Sequence, residues 1–288
     1  MRNALSFDVE DYFHVSAFRE QVRPEAWPDF ESRVEQNTDK TLAVLAESST
    51  KATFFVLGWV ATRFPGVVRR IAQQGHEVAC HGYSHQLIYQ QEPSRFREET
   101  VRSKKLLEDQ CGQAVLGYRA ASFSITAASR WALDVLSECG FQYDSSLFPV
   151  RHDLYGSAVD SVLPHRLTTP SGERLVEFPM TVADVLGVRV PVSGGGYFRL
   201  YPYQLTRALL RRRNAQGQPF VFYLHPWELD PAQPRIDAPW RSRFRHYNNL
   251  ASCESKLRRL VADFQFTTMQ AVLADAGLLN PGPTPASP

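Results

Sequence analysis

The sequence predicts an α/β fold in which parallel strands alternate with helices, on three observations. Short β-rich apolar runs alternate along the chain with amphipathic helical ones. A length of 288 residues, 43% hydrophobic and 22% charged, suffices for one substantial core and is common among single α/β barrels. Polar, chemically able residues follow directly on separate apolar runs: Asp8 after ALSF, His81 after EVAC, Arg119 after LGY and His225 after VFYL. In a barrel of parallel strands those C-terminal ends converge on one face, where active sites are built.

The elements follow in order. Residues 3–7 read as the first strand, and 31–47 as a helix with Leu42 and Leu45 on one face. The continuous apolar run ATFFVL (52–57) is a buried strand. Residues 67–74 are helical and stop at Gly75, the residue type favoured just past a helix end. Strand 76–80 leads straight into His81. Ser94 is expected to cap a helix ending at Gly112, followed by a strand over 115–118. A helix from Ser129 to Gly140 precedes a strand over 141–143 that reaches Asp144. Prolines and the run Gly194-Gly195-Gly196 make 153–202 a loop-rich insertion with short strands such as 175–178. A helix over 203–214, a strand over 220–224 and a last helical region over 253–277 complete the map. One domain is expected over 1–280, with a core at 3–228 and a C-terminal extension at 229–280; the Pro-, Ser- and Ala-rich tail 281–288 is expected to be disordered.

Composition excludes several classes. With 32 basic and 30 acidic side chains the net charge is +2, so no global field favours nucleic acid. No run reaches the roughly 18 apolar residues of a membrane helix, and the N-terminus meets acidic residues at once, so a cytoplasmic protein, or one peripheral to a membrane, is expected. The four cysteines lack a CxxC pair and read as reduced, apolar side chains. Cys80 adjoins His81 but should point to the opposite face of its strand.

The chemistry rests on two clusters. His81 and His85 share a face if the chain turns helically after the strand, and the run Asp8-Val9-Glu10-Asp11 supplies carboxylates. Two neutral imidazoles, one carboxylate ligand and a spare carboxylate are what a hydrolytic metal centre needs. On an extended chain Asp8 and Glu10 project to one side, whereas Asp11 joins them only past a bulge or strand end; the third ligand is one of Glu10 and Asp11. The donor set suits Zn²⁺, although other first-row divalent ions are compatible. Asp8 is then the general base and His225 the general acid for a departing amine. Arg119 is suited to orient Asp8, and Asp144 to fix the tautomer of His225. Tyr83 and Trp227, with Phe123 and Tyr197, are aromatic candidates for stacking on a sugar. The glycine run lacks phosphate-loop spacing and either lets backbone approach a substrate or acts as a hinge.

The ordered set SFDVED (6–11), TFFVLG (53–58), HEVACHGYSH (76–85), GYRAASFS (117–124), YDSSLFP (143–149) and LHPWE (224–228) resembles the polysaccharide deacetylases, the NodB-homology carbohydrate esterases. The segments SGGGYFRLYP (193–202), HPWELD and FRHYNNL (244–250) are similar to the subgroup found with exopolysaccharide and exosortase loci. The resemblance implies a distorted (β/α)7 barrel and metal-dependent removal of N-acetyl groups from a hexosamine polymer or its precursor. It places the base on Asp8, metal histidines on His81 and His85, the motif arginine on Arg119 and the acid on His225. Spacing of the two acids by one residue favours Glu10 as the carboxylate ligand, and Asp144 is the loosest match. The alternatives are hydrolysis of a small amide on the same fold and an inactive carbohydrate-binding protein.

Overall fold

The computed structural model describes residues 1–150 and 161–280. The expected disordered tail, and residues 153–160 of the expected insertion, lie outside that range. Seven parallel strands form the frame: β1 (Arg2–Val9), β2 (Thr53–Val56), β3 (Glu77–Cys80), β4 (Gly117–Tyr118), β5 (Tyr143–Asp144), β7 (Arg174–Glu177) and β10 (Val221–Leu224). Their order is β10-β1-β2-β3-β4-β5-β7. The antiparallel strand β6 (His165–Thr168) extends the β7 edge, and β8 (Val182–Val185) pairs with β9 (Val188–Pro191) as a separate two-stranded ribbon among the described residues.

Helices α1 (Val34–Glu47), α2 (Gly58–Arg63), α3 (Pro65–Gln73), α4 (Pro93–Cys111) and α5 (Ala132–Glu138) connect the early strands. Helix α4 starts with Pro93 at its first turn, where a missing N–H costs nothing, so Ser94 lies inside the helix and not at its cap. It ends on Gly112 at φ 69°, a left-handed conformation that suits glycine. Later come α6 (Gly195–Leu200), α7 (Tyr203–Ala215), α8 (Trp240–Tyr247), α9 (Leu250–Asp263) and α10 (Met269–Asp275). The single last helix expected over 253–277 is broken by β11 (Gln265–Thr267), which pairs in parallel with Arg2–Ala4 of β1. Its Phe266 and the preceding Phe264 pack edge-on against Phe220, and that tertiary contact overrides local helix propensity.

Strand parity builds two cores. Leu5, Phe7, Val9, Phe54, Val56, Val78, Cys80, Phe222 and Leu224 face the helices. Ala4, Phe55, Ala79, Tyr143, Val176 and Val221 cluster on the other face. Residues from six strands meeting in one cluster mean that the sheet curls around them as a barrel wall. Gly117 leaves room for this, since a Cβ there would run into the Tyr143 ring. No ladder joins β7 to β10 among the described residues. Thr181 bridges the gap instead: its hydroxyl donates to Val221 O and accepts from Val221 N, both at 2.9 Å. The barrel is therefore distorted, with one seam held by a side chain. Cys80 and Cys253 are buried, all four cysteines are free, and Cys80 lies on the helix-facing side, away from the site.

Candidate metal centre

The interior parity that starts at Ala4 carries Ser6, Asp8 and Glu10 into the barrel mouth, because Val9 between the acids belongs to the outer core. On β3 the same parity turns His81 inward. His85 arrives by a different route from the one expected: residues 81–85 form no helix, and the chain doubles back through Gly82 at φ 73° and His85 at φ 51°. A left-handed histidine is a strained, over-determined position, and here it brings the second imidazole to the first at 5.3 Å between ring centroids.

Glu10, His81 and His85 each offer one ligand atom, all within 4.8 Å of one another. His81 Nδ1 lies 2.8 Å from Arg119 O, so that nitrogen carries the proton and Nε2 is left as a lone pair. Burial, opposed by Asp8 and Glu10, holds His81 neutral with its pKa lowered to about 4. Glu10 Oε2 is buried and lies 2.8 Å from His85 Nε2. Two imidazole nitrogens and a carboxylate oxygen gathered this closely fit a shared cation. Burial would raise the Glu10 pKa, but His85, His225 and His81 together hold it far below the usual carboxylate range.

Asp8 is held by Arg119, whose Nη1 donates to Oδ1 at 2.6 Å and to Ser6 Oγ at 3.0 Å. The guanidinium is fully buried, sits 4.0 Å over the Phe55 ring and donates to Ser145 O and Oγ. Such a clamp fixes the carboxylate in one orientation.

His225 ends β10 with Nε2 3.5 Å from Glu10 Oε1. Its Nδ1 bonds Glu228 Oε1 at 2.8 Å, and Glu228 Oε2 accepts from Arg199 Nε at 2.7 Å. Burial alone would lower the His225 pKa; Glu228, Glu10 and Asp8 outweigh it and raise it to about 9. Arg199 and His225 in turn overcome burial at Glu228 and lower its pKa to about 2.

Three expectations change. Asp11 does not join the cluster: its carboxylate accepts from Ser32 Oγ and from the Arg33 and Val34 amides, and so anchors the start of α1. Asp144 does not support His225, because strand parity turns it to the opposite face from Tyr143, where it accepts from Ser146 N and Oγ; Glu228 takes that role. Trp227 is 4% exposed and stacks between His225 (5.0 Å) and His246 (4.1 Å), so it walls the site and offers no face to a sugar. Tyr83 stays partly exposed, with its ring 3.9 Å beneath Arg102 and its hydroxyl 3.3 Å from Thr62. The glycine run also finds its use. A Cβ on Gly195 would strike the Glu228 carboxylate and one on Gly194 the Tyr223 ring, so the run lets α6 close over the His225 support.

Fold and cluster together define an α/β protein with a candidate divalent-metal site at the C-terminal mouth of its strands. Residues 22–143 match the polysaccharide deacetylase family, and residues 145–274 match a domain of unknown function (DUF3473). The chain thus carries a polysaccharide deacetylase domain, and both matched segments contribute strands to one sheet.

A Bacillus cereus peptidoglycan-N-acetylglucosamine deacetylase is 36% identical over 77 residues, covering 27% of this chain and 28% of the relative. A Bradyrhizobium chitooligosaccharide deacetylase is 32% identical over 100 residues, covering 35% of this chain and 43% of the relative. The matches thus span less than half of either relative. Among solved structures, a Mycobacterium smegmatis protein described as a polysaccharide deacetylase superposes with TM-score 0.62 at 24% identity, over 99% of this chain and 93% of its own. PuuE allantoinase gives the same TM-score at 16% identity, over 97% and 91%. Both share the fold, and the fold alone does not choose between their substrates.

Proposed function

We propose that this protein is a metal-dependent N-deacetylase that removes acetyl groups from a hexosamine-containing polysaccharide or its precursor. The observation that carries the reading is the convergence of Glu10, His81 and His85, flanked by Asp8 on its arginine clamp and by His225. The names of the B. cereus and Bradyrhizobium relatives support an N-acetylhexosamine substrate.

Glu10, His81 and His85 would hold the cation, most naturally Zn²⁺ for two imidazoles and a carboxylate. Bound there, it supplies Lewis acidity toward water and an amide carbonyl. Asp8, ionised and oriented by Arg119, takes the proton of the attacking water as general base. His225 keeps Nδ1–H on Glu228 and offers its Nε2 proton to the departing amine. The Trp227 ring closes the wall beside it and excludes water from that side.

No helix among the described residues is long and apolar enough to cross a membrane. In this reading the enzyme meets a polymer of the exopolysaccharide type, or its precursor, on the cytoplasmic side. His81→Ala tests the proposal: the variant should lose bound zinc by metal analysis and release no acetate from N-acetylglucosamine oligosaccharides. Full acetate release from metal-free wild type would overturn it.

A further inference from the structure

Two large aromatic side chains of α8 stand out in solvent: Trp240 is 72% exposed and Phe244 54%. They are four apart and share one face of the helix. A helix lying on a core normally turns its apolar residues inward. Helix α8 does the reverse, burying His246 and half of Ser242 while it displays both rings. Arg241 and Arg245 run along one flank of that outer face and Arg243 along the other, all exposed. Arg235 lies 4.2 Å over the ring of Tyr247 and brings a fourth cation to the helix.

The inner face cannot be rolled outward without breaking the wall of the metal site. His246 stacks on Trp227 at 4.1 Å, and its Nε2 bonds Gln233 Oε1 at 2.7 Å. Burial, aided by Arg199, keeps it neutral with its pKa lowered to about 3. The Arg199 guanidinium donates to the carbonyl oxygens of Arg245, His246 and Asn248 at 3.1, 2.8 and 2.6 Å, which satisfies the last turn.

Charge separates the candidate occupants of the outer face. Asp230 and Glu254 bound this stretch and are each engaged by cations elsewhere, Arg33 for the first and Lys40 and Arg258 for the second. Between them stand four arginines and one acid, Asp237. That local +3 exceeds the whole-chain +2, so the rest of the chain sums to −1. Among the described residues only Arg243 approaches Asp237, at 4.0 Å. A second copy would set +3 against +3, and a neutral glycan has no use for the arginines. Rings at the crest of a helix with arginines on both flanks suit an anionic bilayer surface, where aromatics sit at headgroup level and guanidinium groups meet phosphates.

We propose that α8 docks the protein on an anionic phospholipid bilayer, with Trp240 and Phe244 entering the headgroup boundary and Arg235, Arg241, Arg243 and Arg245 pairing with lipid phosphates. Since the inner side of α8 backs the Trp227 wall, docking would hold the site's mouth in a fixed relation to the bilayer, as a lipid-borne polymer precursor requires. The docking stands apart from the deacetylase reading, and its test needs no turnover.

The full chain would be sedimented with phosphatidylcholine vesicles made with and without phosphatidylglycerol. Wild type should bind the anionic vesicles about tenfold or more tightly than the neutral ones, and added salt should remove most of that preference. Trp240→Ala combined with Phe244→Ala should weaken binding about tenfold or more through lost apolar burial. Arg241→Gln combined with Arg245→Gln should weaken it by a similar factor on anionic vesicles alone. Both pairs are exposed, so thermal midpoints should stay at the wild-type value. Brominated lipid should quench the fluorescence of wild type and not of Trp240→Phe, which still binds, because the other four tryptophans are buried or half-buried. No binding to anionic vesicles, equal binding to both kinds, undiminished binding of the ring variant or no quenching of wild type would overturn the docking. So would a solution dimer, or a complex with a soluble acidic peptide, that the ring variant abolishes while wild type ignores vesicles.

Discussion

Two buried carboxyl pairs sit at strand ends of the same sheet and behave in opposite ways. Asp8 of β1 and Glu10 just past its end face the barrel mouth, where Arg119, His81, His85 and His225 surround them. Asp144 and Glu177 are register partners on β5 and β7, both fully buried on the other face of the sheet. Their hydrogen bonds come from Ser146, from the Leu147 amide and from each other. Burial raises Asp144 to about 6 and Glu177 well above the usual carboxylate range. Glu177 Oε2 lacks a partner as a carboxylate, and protonation resolves this by turning it into a donor to Asp144. The same residue type becomes an ionised reagent or a protonated strut according to strand parity and the countercharge parity brings near.

The sharpest way to break the comparison is Asp8→Asn. If Asp8 is the base and Glu10 the ligand, the variant keeps its metal yet loses about 10²- to 10⁴-fold in kcat/KM. Loss of metal together with activity would instead make Asp8 a ligand, and a steady-state assay beside metal analysis separates the outcomes. A smaller effect is expected at Glu228→Gln, which removes the charge on His225 Nδ1 while keeping an acceptor. Removal of such a supporting partner costs about 10- to 100-fold. Because Glu228 helps to raise the His225 pKa, its loss lowers that value, and the basic limb of the pH–kcat profile should move to lower pH. An unmoved basic limb would take the acid role away from His225.

What the sequence disclosed follows the same division. Period-two parity and strand-end placement put Asp8, Glu10, His81 and His225 at one mouth, because both are local properties of extended chain. The approach of His85 through a left-handed backbone is set by tertiary packing, so the expected helical turn was not formed. Asp144 ends a two-residue strand whose parity a sequence does not fix, and nothing in the sequence marks Glu228 although it stands three residues after His225 in LHPWE. Arg199 belongs to α6 and reaches Glu228 only through the fold, although the small residues before it hinted at a close approach.

The smallest predicted effect tests the second pair through stability. Both of its pKa values lie above those of the unfolded chain, so its contribution is complete below about pH 4 and is lost as pH rises through the folded-state values. Glu177→Gln removes one titration and keeps both a donor toward Asp144 and an acceptor for the Leu147 amide. Urea unfolding at pH 5 and pH 8 should show wild type losing stability between them, by up to about 1.4 kcal/mol per pH unit for each proton released. The variant should lose less and be the more stable protein at pH 8. Parallel losses in the two proteins would mean that the Asp144–Glu177 pair is ionised in the folded state, and that strand parity had not separated its chemistry from that of Asp8 and Glu10.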